Sequence, residues 1–168
     1  VKHYFSAYEA GLYAAVNLTG KVVLFLGSFV PAVILPKAVS KRLRGENSAA
    51  LLAQAVGVTI LLSGSALVLF SAMPGPIVRI FAGHQFVAAA PYVMQYDAAM
   101  CLLALVTLAV NYRIGIHQFY FLPWLGAVLA CEIIAIVLWH QSLWEVIHVL
   151  LIGNGVASAL CLWGPNGA

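Results

Sequence analysis

The chain has 168 residues, 64% of them hydrophobic and 8% charged, with a formal net charge of +3 and a mean hydropathy of +1.01. A soluble domain carries roughly 25% charged residues, so a water-covered globule is excluded and an integral membrane protein is expected. Four of its eight Lys and Arg residues gather in one short stretch and the others are scattered, so they form no broad basic face, which argues against a nucleic-acid partner.

The chain begins with Val1, its first residues read as a loop, and no short basic cleavable leader precedes them. It is therefore expected to be a piece of a longer protein whose upstream part is missing. A membrane-spanning helix needs about 20 mostly apolar residues, and five segments qualify. The first covers 9–35 and is expected to stop at Pro36. The second covers 49–72 and ends at "MPGP", read as a double-proline turn. The third covers 86–112 with Pro91 in its first turns, the fourth 119–139, and the fifth 143–163. No segment alternates with period two, so a β-barrel is not expected. The fold class is thus all-α: one polytopic membrane bundle of about five helices, residues 1–168.

The connections set an expected orientation. Lys37, Lys41, Arg42 and Arg44 crowd the first connection, against the single acid Glu46, and Arg113 falls in "NYRIGIHQ", on the same side by parity. Lys2 and Arg79 fall on the other side. Positive residues in short loops mark the cytoplasmic face, so residues 37–48 and the chain end are expected on the cytoplasmic side of a cell membrane. Aromatic residues such as Tyr8, Tyr112, Trp124, Trp139 and Trp144 gather near span ends, as interfacial belts do.

Four charged or polar positions inside the spans carry the functional expectations. Lys21 lies near the middle of the first span, about 12 residues or ~18 Å from either end, too deep for easy snorkelling. Ala10, Ala14, Asn17, Ser28 and Ala32 share its helical face, and Leu12, Val23, Leu26 and Val30 lie opposite. A charge at mid-span costs about 2.5–3.5 kcal/mol on insertion scales. The small, polar stripe is therefore expected to face a bundle interior or a watery cavity, with Lys21 either serving a ligand there or forming a structural ion pair. Asp97 in the third span is the candidate partner, or else a cavity-lining or proton-coupled carboxylate; Asn111 lies on its small, polar face. Glu132 is isolated in the fourth span among Leu125, Val128, Leu129, Ala135 and Ile136. Glu145 and His148 are expected at an interface.

The remaining signals are weak. Cys101, Cys131 and Cys161 lack zinc or redox spacing, and His84, His117 and His140 lack ligand spacing, so neither a metal nor any other cofactor is expected. Asn17-Leu18-Thr19 matches a glycosylation sequon but lies within a span. Gly20 and Gly27, like Gly57 and Gly64, are seven residues apart and suit close helix packing or bending. No nucleophile elbow, phosphate-cradling loop or paired-carboxylate motif is present, and the connections are short, so an enzyme is not expected.

The stretch "EAGLYAAVNLTGKVVLFLGSFVPAVILPKAVSKRLRGE" resembles the segment that opens the C-terminal lobe of polysaccharide flippases. Those proteins belong to the multidrug/oligosaccharidyl-lipid/polysaccharide exporter superfamily. The matching positions are Ala10, Gly11, Tyr13, Gly20, Lys21 and Pro36. "IVRIFAGHQFVAAAPYV" is similar to a family loop, with Ala82 inserted before Gly83 and Val93 where leucine is usual; Asn111-Tyr112 resembles the pair ending the next span. The likeness runs over residues 1–163. It implies two lobes related by a pseudo-twofold axis, of which this chain would supply part of the C-terminal one, with an N-terminal lobe as its partner. It implies export of lipid-linked oligosaccharides across the inner membrane by alternating access. Lys21 would attract pyrophosphate or acidic sugars, Asn17 and Ser28 would bond sugars, and Asp97 would hold Lys21 or couple transport to an ion. Gly20, Gly27 and Pro31 would let the helix bend. The competing expectations are a cation-coupled multidrug exporter, in which Asp97 and Glu132 matter more, and a membrane scaffold without transport.

Overall fold

The computed structural model describes residues 6–44, 49–139 and 142–163. Among these the chain is helical almost throughout, with no strand, and it forms an all-α bundle of about five spans. The helices are α1 (Ala7–Leu43), α2 (Ala49–Ala72), α3 (Pro74–Ala82), α4 (Ala90–Gly115), α5 (Leu122–Leu138) and α6 (Leu143–Trp163), with a 3-10 helix at His84–Ala89 before α4. Four of the long helical stretches are apolar and long enough to cross a membrane, and α5 is a shorter apolar helix.

Helix starts follow local chemistry. Ser6 opens α1 with a reciprocal cap: Glu9 N–H donates to Ser6 Oγ at 3.3 Å, and Ser6 N–H donates to the Glu9 carboxylate at 3.0 Å. Ser142 Oγ likewise accepts the Glu145 N–H at 3.3 Å ahead of α6. Pro74 and Pro76 start α3, where the missing proline N–H groups would have had no intrahelical partner. The expected double-proline turn is thus the first turn of a helix. Gly83 ends α3 at φ 97°, a backbone state that a side chain would strain.

The expected stop at Pro36 is not made. α1 runs through Pro31 and Pro36 to Leu43, so Lys37 and Lys41 stand on a helix and not in a loop. Each proline leaves one carbonyl, Gly27 or Ala32, without its i+4 donor, a loss that packed membrane helices tolerate. The expected third span also divides: its first residues belong to the 3-10 helix, and α4 begins at Ala90 with Pro91 in its first turn. Residues 45–48 of the expected cytoplasmic loop, the chain end after 163, Lys2 and His140 lie outside the described residues.

α4 is the central helix. It packs against α1, α2 and α6, while α5 rests mainly on α6. α4 accordingly buries residues all round, from Val93 and Tyr96 through Met100 and Leu105 to Ala109, whereas α5 has no buried residue. α1 buries Leu12, Val16, Thr19, Val23, Gly27 and Val30 at three- and four-residue spacings, and α2 buries Ala55, Thr59, Ser63, Ala66 and Phe70 in the same way. Glycines let α1 and α4 approach. A methyl at Gly20 would meet Tyr96 Cδ1 at 2.6 Å and Met100 Cγ at 2.7 Å; one at Gly27 would meet Ala104 Cβ at 2.6 Å. Gly57 and Gly64, by contrast, face open space, with nothing nearer than 4.0 Å, so that pair marks no helix contact among the described residues.

Candidate functional site

The polar groups of the spans separate into an internal seam, an outward face of α1, and a groove beside α5.

The seam runs where α1, α2 and α4 meet. Asp97 is fully buried there, and its Oδ1 accepts the Thr19 hydroxyl at 2.9 Å. The same hydroxyl lies 2.8 Å from the Val16 carbonyl, so one proton serves two acceptors. Among the described residues Asp97 Oδ2 has no hydrogen-bond partner, and neither does Thr59 Oγ1 on α2. One turn along α4 from Asp97, Cys101 Sγ sits 3.2 Å from Ser63 Oγ. Tyr96 donates its hydroxyl to Asn17 Oδ1 at 3.1 Å and meets Tyr13 edge-on, ring centroids 5.6 Å apart.

The expected pairing of Asp97 with Lys21 is not made. Thr19 and Lys21 are two residues apart, about 200° round the helix, so the turn that aims Thr19 at α4 aims Lys21 away from it. Lys21 is exposed, with no hydrogen bond or ion pair among the described residues. Its face carries exposed Ala14, Leu18 and Phe25. Asn17 and Ser28 lie at its margin, half-buried, and Ser28 Oγ turns back to donate to the Leu24 carbonyl at 2.8 Å. Asp97 therefore belongs to the bundle interior and Lys21 to its outer surface, and the two do not share a cavity.

Asn111 is also inward, near the end of α4. Its side-chain amide donates to the Thr107 carbonyl at 2.7 Å, beside a small recess formed with Pro31, Ile34 and Leu108. Pro31 is buried there, and Gly20 and Gly27 sit in the close α1–α4 contact described above. The three positions expected to bend α1 thus all lie on its packed side.

Glu132 is half-buried at the wall of a groove of about 560 Å³ between α5 and α6. Trp124 and Trp139 stand among its lining residues, with Cys131 and Ile152 between them. The carboxylate folds over Gly153, where an added methyl would come within 2.8 Å of it. A half-buried carboxylate in an otherwise apolar groove offers one anchoring point for a donor or a cation.

Two features escaped the sequence. Thr19, Thr59 and Ser63 form the seam with Asp97, and only their coincidence with the buried helical stripes would have singled them out. Arg113, assigned above to a connection, lies in the last turn of α4 and is 5% exposed. Its Nε–H donates to the Cys161 carbonyl at 2.7 Å, and its guanidinium stands 5.5 Å from the Phe121 ring centroid. A cation at the last carbonyls of α6 complements the negative end of that helix. Arg113 is therefore an internal clamp between α4 and α6, and it does not belong in a count of loop charges. Among the described residues no group of three or more His, Cys, Asp or Glu could hold a metal ion.

No protein-family model, curated protein or solved structure matches this chain.

Proposed function

We propose that this chain forms part of one lobe of a transmembrane exporter that moves lipid-linked oligosaccharides across a cell membrane. The observation that carries the reading is Lys21: a cation near mid-span, exposed on α1 and unpaired among the described residues, while the opposite side of α1 is packed into the bundle. Hydrocarbon against that ammonium costs about 2.5–3.5 kcal/mol on insertion scales. Water, an anion or a polar protein surface removes the penalty. A transport path between two lobes supplies all three, and low-dielectric walls strengthen the attraction of the cation for a pyrophosphate or an acidic sugar. Asn17 and Ser28, beside Lys21, would meet the sugars. In this reading the membrane is a bacterial or archaeal inner membrane with the basic end of α1 in the cytoplasm, the second lobe faces the Lys21 side of α1, and the protein transports without chemical turnover.

The test is export by the transporter that contains this chain. Lys21→Ala should abolish glycan export with membrane insertion unchanged, and Lys21→Arg should retain part of it. Unchanged export in Lys21→Ala would remove the lysine, and with it the proposed path, from the mechanism. A second reading, a cation-coupled drug exporter, draws on the unpartnered Asp97 Oδ2. Dye efflux that survives Lys21→Ala and fails in Asp97→Ala would favour it.

A further inference from the structure

The continuation of α1 beyond Pro36 creates a feature independent of the transport reading. Lys37 and Lys41 are four residues apart on one side of α1, and Arg44 follows in the turn that closes the helix, its N–H donating to the Lys41 carbonyl at 3.1 Å. Lys37 and Arg44 are exposed and Lys41 is half-buried. Directly below them, α1 and α2 leave a groove of about 390 Å³ whose walls include Phe29, Val33, Lys37, Gln54, Val58 and Leu62. α1 and α2 are joined end to end by a short connection and run antiparallel, which puts Lys37 and Gln54 at the same end of the groove. Phe29 and Leu62 lie at the other.

The groove therefore has a polar mouth and an apolar body. Along α1 it extends from Lys37 to Phe29, eight residues or ~12 Å. One leaflet of a bilayer has about 15 Å of hydrocarbon, so the apolar part has the depth of an acyl chain. Phe29 and Val33 are 66% and 62% exposed, which leaves their side chains free to meet a tail. At the mouth, the Lys37 ammonium and the Gln54 amide are available as hydrogen-bond donors, and Lys41 and Arg44 add positive potential. A phosphate has the complementary charge and acceptor oxygens.

We propose that the α1–α2 groove binds an anionic phospholipid of the surrounding membrane, its phosphate held by Lys37 and Gln54 and one acyl chain lying along Val33, Val58 and Phe29. Basic pockets between helices near the membrane surface suit such headgroups. The tail requirement separates this site from a surface that merely attracts anions, and it commits the occupant to a lipid.

The experiment is native mass spectrometry of the full chain released from micelles containing equimolar phosphatidylglycerol and phosphatidylcholine. Retained phosphatidylglycerol should exceed phosphatidylcholine. Lys37→Ala should lower that retention about fivefold, and Lys37→Arg should preserve it. Val58→Trp, which fills the groove and leaves every basic residue in place, should lower it as well. Excess inorganic phosphate should not displace the lipid. Equal retention of the two lipids, a preference that survives Val58→Trp, or displacement by inorganic phosphate would each overturn the proposal. Helical circular dichroism checks each variant; if Val58→Trp does not fold, Val33→Trp fills the groove from the α1 side and is judged by the same outcomes.

Discussion

Replacement of Gly27 by alanine tests the α1–α4 contact on which the placement of every polar group depends. The added methyl would stand 2.6 Å from Ala104 Cβ, which belongs to a residue with no solvent exposure. Carbon atoms in contact settle at about 3.5–4.0 Å, so the two helices must part by roughly 1 Å at this level. Neither side can yield by a change of rotamer, because both atoms are fixed to backbone. Movement toward α2 is limited by Thr59 Cγ2, 3.3 Å from the new methyl. Overpacking of this kind costs about 1–3 kcal/mol, and the better helix propensity of alanine returns up to about 1 kcal/mol. The net expectation is a loss of about 1–2 kcal/mol. Reversible unfolding in mixed micelles, titrated with a denaturing detergent and followed by circular dichroism, measures it. Gly57→Ala is the control: nothing lies within 4 Å of its new methyl, so stability should hold or rise by up to about 1 kcal/mol. Gly27→Ala combined with Ala104→Gly moves the methyl across the contact and should recover most of the loss. Equal stability of Gly27→Ala and Gly57→Ala, or a double variant as unstable as the sum of its parts, would refute the close approach.

Two further expectations concern the buried polar groups. Thr19→Val removes the only hydrogen-bond donor to Asp97 that the structure shows, and should destabilise by up to about 1.7 kcal/mol, the upper range for interhelical side-chain bonds in membranes. Asp97→Asn should cost less than Thr19→Val, because the new amide can donate to Thr19 Oγ1 while the Thr19 hydroxyl donates to Val16; the same unfolding titration ranks them, and the reverse order would contradict the seam geometry. Arg113→Met keeps the length of the side chain but deprives the Cys161 carbonyl of its donor. It should cost about 1.5–3 kcal/mol, as for bonds to charged groups, and hydrogen exchange should rise first in the last turn of α6; a uniform rise along the helix would argue against a local clamp.

Composition and segment length alone were enough to show that this chain is a set of apolar helices. The stretch at 49–72, bounded in the sequence by polar residues and by prolines, occupies the residues of α2. The division of α1 into two faces was also legible, but not which of them packs: Lys21, expected to face a bundle interior or a watery cavity, is exposed, and the opposite-face residues Leu12, Val23 and Val30 are the buried ones. That division could be read because one lysine and a few small polar residues broke an otherwise uniform apolar pattern. α4 and α6 carry no comparable break. In a membrane, a side chain facing lipid is as apolar as one facing the core, so periodicity cannot say which face of such a helix is packed.

Tertiary structure alone decided the rest. Whether a proline ends a helix depends on what replaces the lost hydrogen bond, and α1 passes through Pro31 and Pro36 while packed along α2 and α4. Whether Lys21 and Asp97 meet depends on the rotation of α1 about its axis, which the Gly20 and Gly27 contacts set by turning Thr19 toward α4. Arg113 looked like a loop charge because sequence order does not show that the C-terminal end of α6 lies against the end of α4. Chemical identity is local and was readable residue by residue; partnership is a relation between distant segments, and only the packing of helices through α4 brought those segments together.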